Sequence, residues 1–328
     1  MNKKPPFQIT NKILKLLQDI SYELGILLGA KLYIPPVKLR KNNQIKTLQS
    51  SLAIEGNTLS IEQVTDLING KRVLAPEKDI LEVKNAIKLY DDLALFDPFS
   101  LESLLKAHEI LMHGLIADNG SWRKGKAGIF KGDELVHLAP PANRVFVLMQ
   151  NLFDFIKPKD DIFDDISGII KACIFHYEFE FIHPFSDGNG RIGRLWQQLL
   201  LMQTNKVFEY ISVESLIRNN QAEYYNALRE CDKLGESTLF IEFMLDQIVA
   251  ALKLYSNNVV YEADSQLSRI EFAKFNLADK WFSRKDYILL HKNISTATAS
   301  RDLVYGLEQG ILIGKGEKNQ TYYRFKIL

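Results

Sequence analysis

Cysteine is scarce: Cys173 and Cys231 are the only two in 328 residues. Two thiols at this length make no disulfide framework, and no CxxC metal spacing exists. Such usage fits a reducing cytosol, so a cytoplasmic location is expected. Long apolar runs are lacking too. The most apolar early segment, residues 24–30, ends at Lys31, and no stretch is long enough to span a bilayer. The start, Met1 to Thr10, has lysines but no apolar stretch behind them, so no signal peptide is expected. An excess of one charge is also missing. The 41 Lys and Arg against 40 Asp and Glu leave a formal net of +1. No global field draws the chain to nucleic acid or membrane, although a local basic patch is compatible with that balance.

What is present is an ordinary globular composition, 46% apolar and 25% charged. The length suggests two or three domains. Apolar residues recur at three- and four-residue spacing over 9–30, 43–54, 60–69, 77–93, 99–116, 143–157 and 163–180, which predicts helices. Further helices are expected from 191 to about 203 and over 212–233 and 237–255. Pro35-Pro36, Asp97-Pro98 and Pro140-Pro141 break these runs. Residues 126–139 differ: they hold Gly128, Gly132 and short β-compatible pieces, Ala127 to Phe130 and Glu134 to Leu138, which reads as a small hairpin. From 281 the texture changes again. A short helix from Tyr287, a second over 295–309 with Ser295 at its N-cap, and strands at 311–313 and 321–327 around Gly314-Lys315-Gly316-Glu317 follow the winged helix-turn-helix order.

One segment carries chemistry: Phe181-Ile-His-Pro-Phe-Ser-Asp-Gly-Asn-Gly-Arg-Ile-Gly-Arg194. It is a loop between two predicted helices. Gly188 and Gly190 permit positive φ and close approach of a ligand to the backbone. Successive N–H groups there can form an anion nest, and the helix N-terminus adds positive potential. Arg191 and Arg194, three apart, share a helix face and suit phosphate oxygens through paired donors. Asp187 would repel phosphate unless a cation lies between, so Mg²⁺ is the natural bridge. His183 can take a proton from a hydroxyl near neutral pH. Together these parts predict phosphoryl or nucleotidyl transfer from a nucleoside triphosphate.

Each part alone has a commoner use. A single histidine at a helix end is more often a core or cap residue. A GNG is more often a turn, and two arginines at this spacing more often a solvated face. Asp187 alone could cap the following helix. The functional reading rests on their joint occurrence within twelve positions.

The run from His183 to Arg194 resembles the full signature of the Fic family, HPFx(D/E)GNGRxxR, and the resemblance extends over about 100–235. It implies a mainly α fold. That fold has a Fic-type helical core with a small β-hairpin flap, an N-terminal helical region (1–98), the catalytic domain (99–255) and a C-terminal winged helix (262–328). It also implies protein adenylyltransfer, in which AMP from ATP is placed on a Ser, Thr or Tyr hydroxyl. In that scheme His183 is the base, and Asp187 holds Mg²⁺ against the α- and β-phosphates. Gly188, Asn189 and Gly190 line the nest, and the Asn189 side chain also donates. Arg191 contacts phosphates, Arg194 grips the γ-phosphate, and Ile192 and Gly193 complete the binding segment. Phe185 anchors the loop. The hairpin near 128–138 corresponds to the flap that registers the target by strand addition. Tyr224 is placed to touch the adenosine, with a core aromatic as the equal alternative. Relatives that transfer phosphate carry Lys where this chain has Gly190. Other nucleotides and phosphocholine are not separated by the motif alone.

Upstream, Ser50-Ser-Leu-Ala-Ile-Glu55-Gly56-Asn57 resembles the family's inhibitory motif, (S/T)xxxE(G/N), on Ser51, Glu55 and Gly56. The resemblance implies a Glu55 carboxylate paired with Arg194, displacing the γ-phosphate. The alternative is a glutamate that only solvates a helix end.

Residues 281–328 hold eight Lys and Arg against four acids, a local excess of +4. Ser295, Thr296, Thr298, Ser300 and Arg301 on the second helix, with Lys315 and Lys318 on the wing, could meet phosphates or base edges. DNA contact and protein docking stand even. The partners expected are thus a hydroxyl-bearing target protein, the chain itself included, DNA or protein through the wing, and no membrane. Oligomeric state stays open, a homodimer included. The competing function is a DNA-binding winged-helix regulator whose Fic domain only senses ATP.

Overall fold

The computed structural model describes residues 4–29, 37–131, 134–158, 166–263, 266–277, 280–291, 294–316 and 321–326. They form two compact units, residues up to Leu254 and residues from Tyr255. No described helix is long and apolar enough to cross a membrane.

The first unit contains α1 (Asn11–Gly29), α2 (Val37–Ile54), α3 (Ile61–Ile68), α4 (Glu77–Asp91) and α5 (Leu101–Leu111). A two-stranded hairpin follows, β1 (Gly128–Lys131) and β2 (Glu134–Leu138), antiparallel with a register shift between Ile129 and Phe130. Then come α6 (Ala142–Ile156), α7 (Gly168–Ile182), α8 (Asn189–Thr204), α9 (Val213–Asn219), α10 (Gln221–Leu234) and the start of α11 (Thr238–Ala263). Gly132 lies outside the described residues, as do Pro35 and Pro36.

The centre is α7 packed along α8, with α6 against α7 and α5 against α8. Both central helices are buried on nearly every side, and α7 accordingly shows no polar stripe. Trp196, Phe153, Phe175 and Phe179 fill the space around them, and the Trp196 indole N–H donates to the Pro98 carbonyl at 3.0 Å. The N-terminal region 1–98 shares this core: α2 packs on α9, α4 and α8. The chain start is tied down as well, since Ser237 N–H donates to Pro6 O at 3.0 Å and Thr10 Oγ1 to Glu242 at 2.6 Å.

Where the sequence periodicity and the structure differ, local chemistry explains it. Helix α2 begins at Val37, ahead of the expected 43, because its first turns are polar residues without apolar period. The helix expected over 212–233 is two helices, α9 and α10, which meet at Asn220. Ser60 and Gln63 form a reciprocal capping box that starts α3 where expected.

The second unit contains α12 (Gln266–Leu277), β3 (Phe282–Ser283), α13 (Arg284–Leu290), α14 (Thr296–Glu308), β4 (Leu312–Lys315) and β5 (Tyr322–Phe325). The strands form one antiparallel sheet in the order β3-β5-β4. Helix α12 and the two-residue β3 had no expectation from sequence. The core gathers Ile270, Phe282, Tyr287, Leu303 and Phe325. A buried bidentate pair, Arg269 Nε to Asp302 Oδ2 at 2.6 Å and Nη2 to Oδ1 at 2.8 Å, fastens α12 to α14. Tyr287 donates its hydroxyl to the same carboxylate at 3.3 Å, so the buried charge is well satisfied.

Candidate active site

The signature loop joins α7 to α8, and its two ends are set by backbone geometry. Helix α7 stops at His183, whose φ of 48° and ψ of 62° put it in the left-handed region. It is the one non-glycine residue with positive φ among those described. Such a conformation needs outside support. Arg123, 4% exposed, gives it: Nε donates to the His183 carbonyl at 2.7 Å and Nη2 to Ile182 O at 3.3 Å. Its backbone N–H also donates to Pro184 O at 3.0 Å. A guanidinium therefore satisfies the last carbonyls of α7 and complements the negative end of the helix dipole.

The loop is pinned from within. Phe185 is fully buried and stacks on His108 at 3.6 Å between ring centroids, as expected of an anchor. Asn189 accepts from Phe185 N–H at Oδ1 and donates from Nδ2 to Phe185 O, both at 2.9 Å. The Asn189 side chain is 2% exposed and braces the loop through Oδ1 and one of its two Nδ2 hydrogens. His108 braces the next turn. Its Nδ1 accepts from Gly120 N–H at 2.9 Å, which leaves Nε2 to donate to Asp187 O at 3.0 Å. Burial lowers its pKa to about 4, so it stays neutral as that tautomer requires.

Gly188, with φ of 84°, is the N-cap of α8, and no side chain caps the helix. A Cβ there would lie 2.7 Å from Met112 Sδ, and the positive φ would strain any other residue. The first N–H groups of α8 thus form an anion-binding end. Ile192 and Gly193 are buried, and a Cβ on Gly193 would meet Glu180 Oε1 at 2.9 Å.

Both arginines carry acids. Arg191 lies between Glu82 Oε1 at 3.2 Å and Asp187 Oδ1 at 3.1 Å. Glu82 is held in turn by Asn57 Nδ2 at 2.8 Å. Arg194, its side chain 1% exposed, donates from Nη2 to Glu55 Oε1 at 2.7 Å and to Ser51 O at 3.0 Å, and from Nε to Ser51 Oγ at 3.2 Å. Glu55 is delivered by the end of α2. Gly56, φ of 90°, and the bonds Gly56 N–H to Ala53 O and Asn57 N–H to Leu52 O make a Schellman ending. With Arg194 on Ser51 O and Gln221 Nε2 on Ile54 O at 2.9 Å, all four last carbonyls of α2 have donors. A Cβ on Gly190 would lie 2.2 Å from Glu55 Oε1 and 3.0 Å from Arg194 Nη1. The carboxylate therefore lies directly over the first turn of α8.

A model of the Fic/DOC family matches residues 98–201. A crystallised Fic family protein from Desulfovibrio desulfuricans G20 is 36% identical, with a TM-score of 0.72, over 99% of this chain and 98% of that one. This chain belongs to the Fic family. Among curated relatives, the protein adenylyltransferase fic-1 of Caenorhabditis elegans is 27% identical over 66% of this chain and 44% of its own length. The protein adenylyltransferase Fic of Culex quinquefasciatus is 26% identical over 66% of this chain and 43% of its own length. The chain thus spans less than half the length of these relatives.

Within this Fic fold, Tyr224 is a core residue. It is 1% exposed and hydrogen-bonds His176 Nε2 at 3.1 Å, while His176 Nδ1 meets Gln197 Oε1 at 2.5 Å. Burial and the Arg194 charge lower the His176 pKa to about 3. The core-aromatic alternative therefore describes Tyr224, and the exposed ring beside it is Tyr225, 5.2 Å away between centroids. Glu214, 3% exposed, shares a small void with Arg194. Burial pushes its carboxyl up to about 7, against its own backbone N–H and Arg194, which favour the charged form. Asp187 suits a magnesium ion: its side chain is 51% exposed beside the α8 N-terminus. Mg²⁺ commonly takes one or two carboxylates and substrate phosphates, and no group of three metal-binding side chains converges among the described residues.

Sequence reasoning missed His108, Arg123, Glu82 and Asn57. Each acts from another element, 25 to 109 positions from its partner, and no short motif marks such pairs. In the second unit, Ser295 caps α14 by accepting from Thr298 N–H, and Ser300 accepts from Arg284 at 3.0 Å. Lys315 lies over the Trp281 ring at 4.3 Å, Arg301 is exposed, and Lys292 and Lys318 lie outside the described residues.

Proposed function

We propose that this Fic chain is a protein adenylyltransferase. It joins AMP from ATP to a Ser, Thr or Tyr hydroxyl of a protein, with the chain itself among the candidate targets, and Glu55 restrains it. The single observation that supports this best is the Glu55 carboxylate on Arg194 and above Gly190. An anion already occupies a cationic seat formed by a buried guanidinium and a helix N-terminus, the chemistry a terminal phosphate requires.

In the reaction, His183 accepts the proton of the target hydroxyl. The freed oxygen attacks the α-phosphorus, the bond from that phosphorus to the bridging oxygen breaks, and pyrophosphate leaves. Positioning carries much of the rate. Arg123 fixes the backbone of His183, and the His108 and Asn189 bonds fix the loop that follows. Arg194 takes the γ-phosphate once Glu55 has left it. Asp187 would hold Mg²⁺, which supplies charge neutralisation at the phosphates. While Glu55 stays in place, it removes the partner of the γ-phosphate and adds like-charge repulsion.

Label transfer tests this reading. The wild type, Glu55→Gly and His183→Ala are incubated with Mg²⁺ and α-labelled or γ-labelled ATP. Glu55→Gly should label protein from the α-position above wild type, and His183→Ala should not label. Label from the γ-position alone would mean phosphotransfer, and unchanged labelling in His183→Ala would refute the base.

For the second unit the favoured partner is duplex DNA. Support comes from exposed Arg301, Arg284 and Lys285, although Lys315 is partly engaged by Trp281. Binding of the full chain to duplex DNA should weaken with salt and with Arg301→Ala. No binding at low salt would leave protein docking.

A further inference from the structure

Asn57, Glu82, Arg191 and Asp187 form a continuous polar chain from the end of α2 to the first turn of α8. Asn57 Nδ2 donates to Glu82 Oε2 at 2.8 Å and to Asp79 O at 3.1 Å. The other Glu82 oxygen, Oε1, accepts from Arg191 Nη1 at 3.2 Å. Arg191 Nη2 donates in turn to Asp187 Oδ1 at 3.1 Å. The Gly188 N–H donates to the same oxygen at 2.6 Å. Two donors therefore fix Asp187 Oδ1, and among the described residues Oδ2 receives no hydrogen bond. The Asp187 side chain is 51% exposed. One carboxylate oxygen is held, and the other is left for a partner from outside.

Burial falls off along this chain. The Arg191 and Glu82 side chains are 6% and 9% exposed, and they come from α8 and α4, 109 positions apart. A buried ion pair seldom improves stability over apolar packing of the same volume, so stability alone does not account for this one. Its exposed end is Asp187. Two carboxylates share one guanidinium, which leaves one negative charge in excess. Lys78, 4.0 Å from Glu82 and 71% exposed, offsets little of it.

We infer that Glu82 is a positioning residue for the metal ligand Asp187, an inference that rests on the reading of Asp187 given above. Glu82 fixes the Arg191 guanidinium, the guanidinium fixes Asp187 Oδ1, and Oδ2 is thereby presented to the magnesium ion that accompanies ATP. Groups behind a metal ligand set its orientation, and losing one costs about 10- to 100-fold in metal affinity. Asn57 extends the chain into the segment that carries Glu55, two residues earlier. Its amide occupies Glu82 Oε2, which directs Oε1 to Arg191.

The test uses the full chain carrying Glu55→Gly, so that the restraint does not mask nucleotide binding. Calorimetry gives its affinity for ATP in EDTA and with Mg²⁺. The metal should tighten binding, because it neutralises charge between Asp187 and the phosphates. Adding Asp187→Ala should remove most of that gain. Adding Glu82→Gln should weaken binding of ATP with Mg²⁺ by about tenfold or more and leave the metal-free affinity unchanged or tighter. Glutamine has the same shape, but both neighbours of Glu82 donate and an amide accepts at one end only, so one contact is lost. Asn57→Ala removes the donor behind Glu82 and keeps every charge. It should show the same split at about threefold, and it serves should Glu82→Gln not fold. Melting curves confirm that each variant is folded. Loss of charge alone would tighten binding in both conditions, and a damaged phosphate seat would weaken both. Either pattern in a folded variant overturns the proposal. If Asp187→Ala removes the gain and both other variants bind as their parent does, the proposal fails and the reading of Asp187 stands. If Asp187→Ala keeps the gain, or the parent binds no ATP in either condition, both fail.

Discussion

Glu55 and Arg194 lie 139 positions apart in sequence, and their charged groups meet at 2.7 Å. Arg194 is buried and Glu55 is about one-third exposed, with 1% and 33% of their side-chain surfaces accessible. The same carboxylate oxygen would lie 2.2 Å from a Cβ added at position 190. Gly190→Ala should therefore displace Glu55. In the wild-type background the crowding should cost about 1–3 kcal/mol, less the helix gain of alanine over glycine. In Glu55→Gly the clash partner is gone, and the substitution should be close to neutral. Chemical denaturation of the four proteins gives the coupling energy. Equal costs in both backgrounds would show that Glu55 does not occupy that place.

His183 combines a reactive ring with a left-handed backbone, so the two roles can be separated. Asparagine tolerates that backbone region but has no imidazole. His183→Asn should keep the melting temperature within a few degrees and lower AMP transfer by about 100- to 10,000-fold, the range for loss of a general acid–base group. Comparable loss of stability and activity would instead assign His183 a structural role.

Arg123 acts through His183 and is a positioning residue. Arg123→Ala leaves carbonyls of the α7 C-terminus without donors and should destabilise the fold by about 2–3 kcal/mol. It should lower kcat more than it raises KM for ATP, because the base and not the phosphate seat is displaced. Arg123→Lys, which cannot fork between two carbonyls, should recover little.

Glu214 makes a pH prediction with a definite sign. Its folded pKa is raised to about 7 from an ordinary 4.5. Between those values the folded state binds a proton that the unfolded state has lost, so stability falls as pH rises through that window. Glu214→Gln removes the titrating group. It should stabilise the protein at pH 8 by roughly 3 kcal/mol relative to wild type, with the difference vanishing below about pH 4.5. Melting temperatures of both proteins across that range check it, and parallel curves would contradict it.

The signature loop, the helical core and the pairing of Glu55 with Arg194 were legible in the sequence. Each rests on residues close together or on a motif whose two halves are each recognisable. Asn189 was not: its bracing of Phe185 depends on a turn whose closure no spacing reveals. Tyr224 and Tyr225 are neighbours on one helix, and only the packing of α10 decides which ring is buried. The N-terminal region looked separate because Asp97-Pro98 breaks the helical runs, yet α2 packs on α8 and α9. Helix α12 went unseen because its described buried apolar positions, Ile270 and Ala273, are too few to stand out from flanking polar residues.

The central claim is that the Glu55 carboxylate sits where the terminal phosphate of ATP would bind. Calorimetric titration of ATP with Mg²⁺ into the wild type and Glu55→Gly tests it most directly. Removing a charge-assisted bond and a like charge should tighten binding by about tenfold or more. Equal affinities in the two proteins would contradict the account.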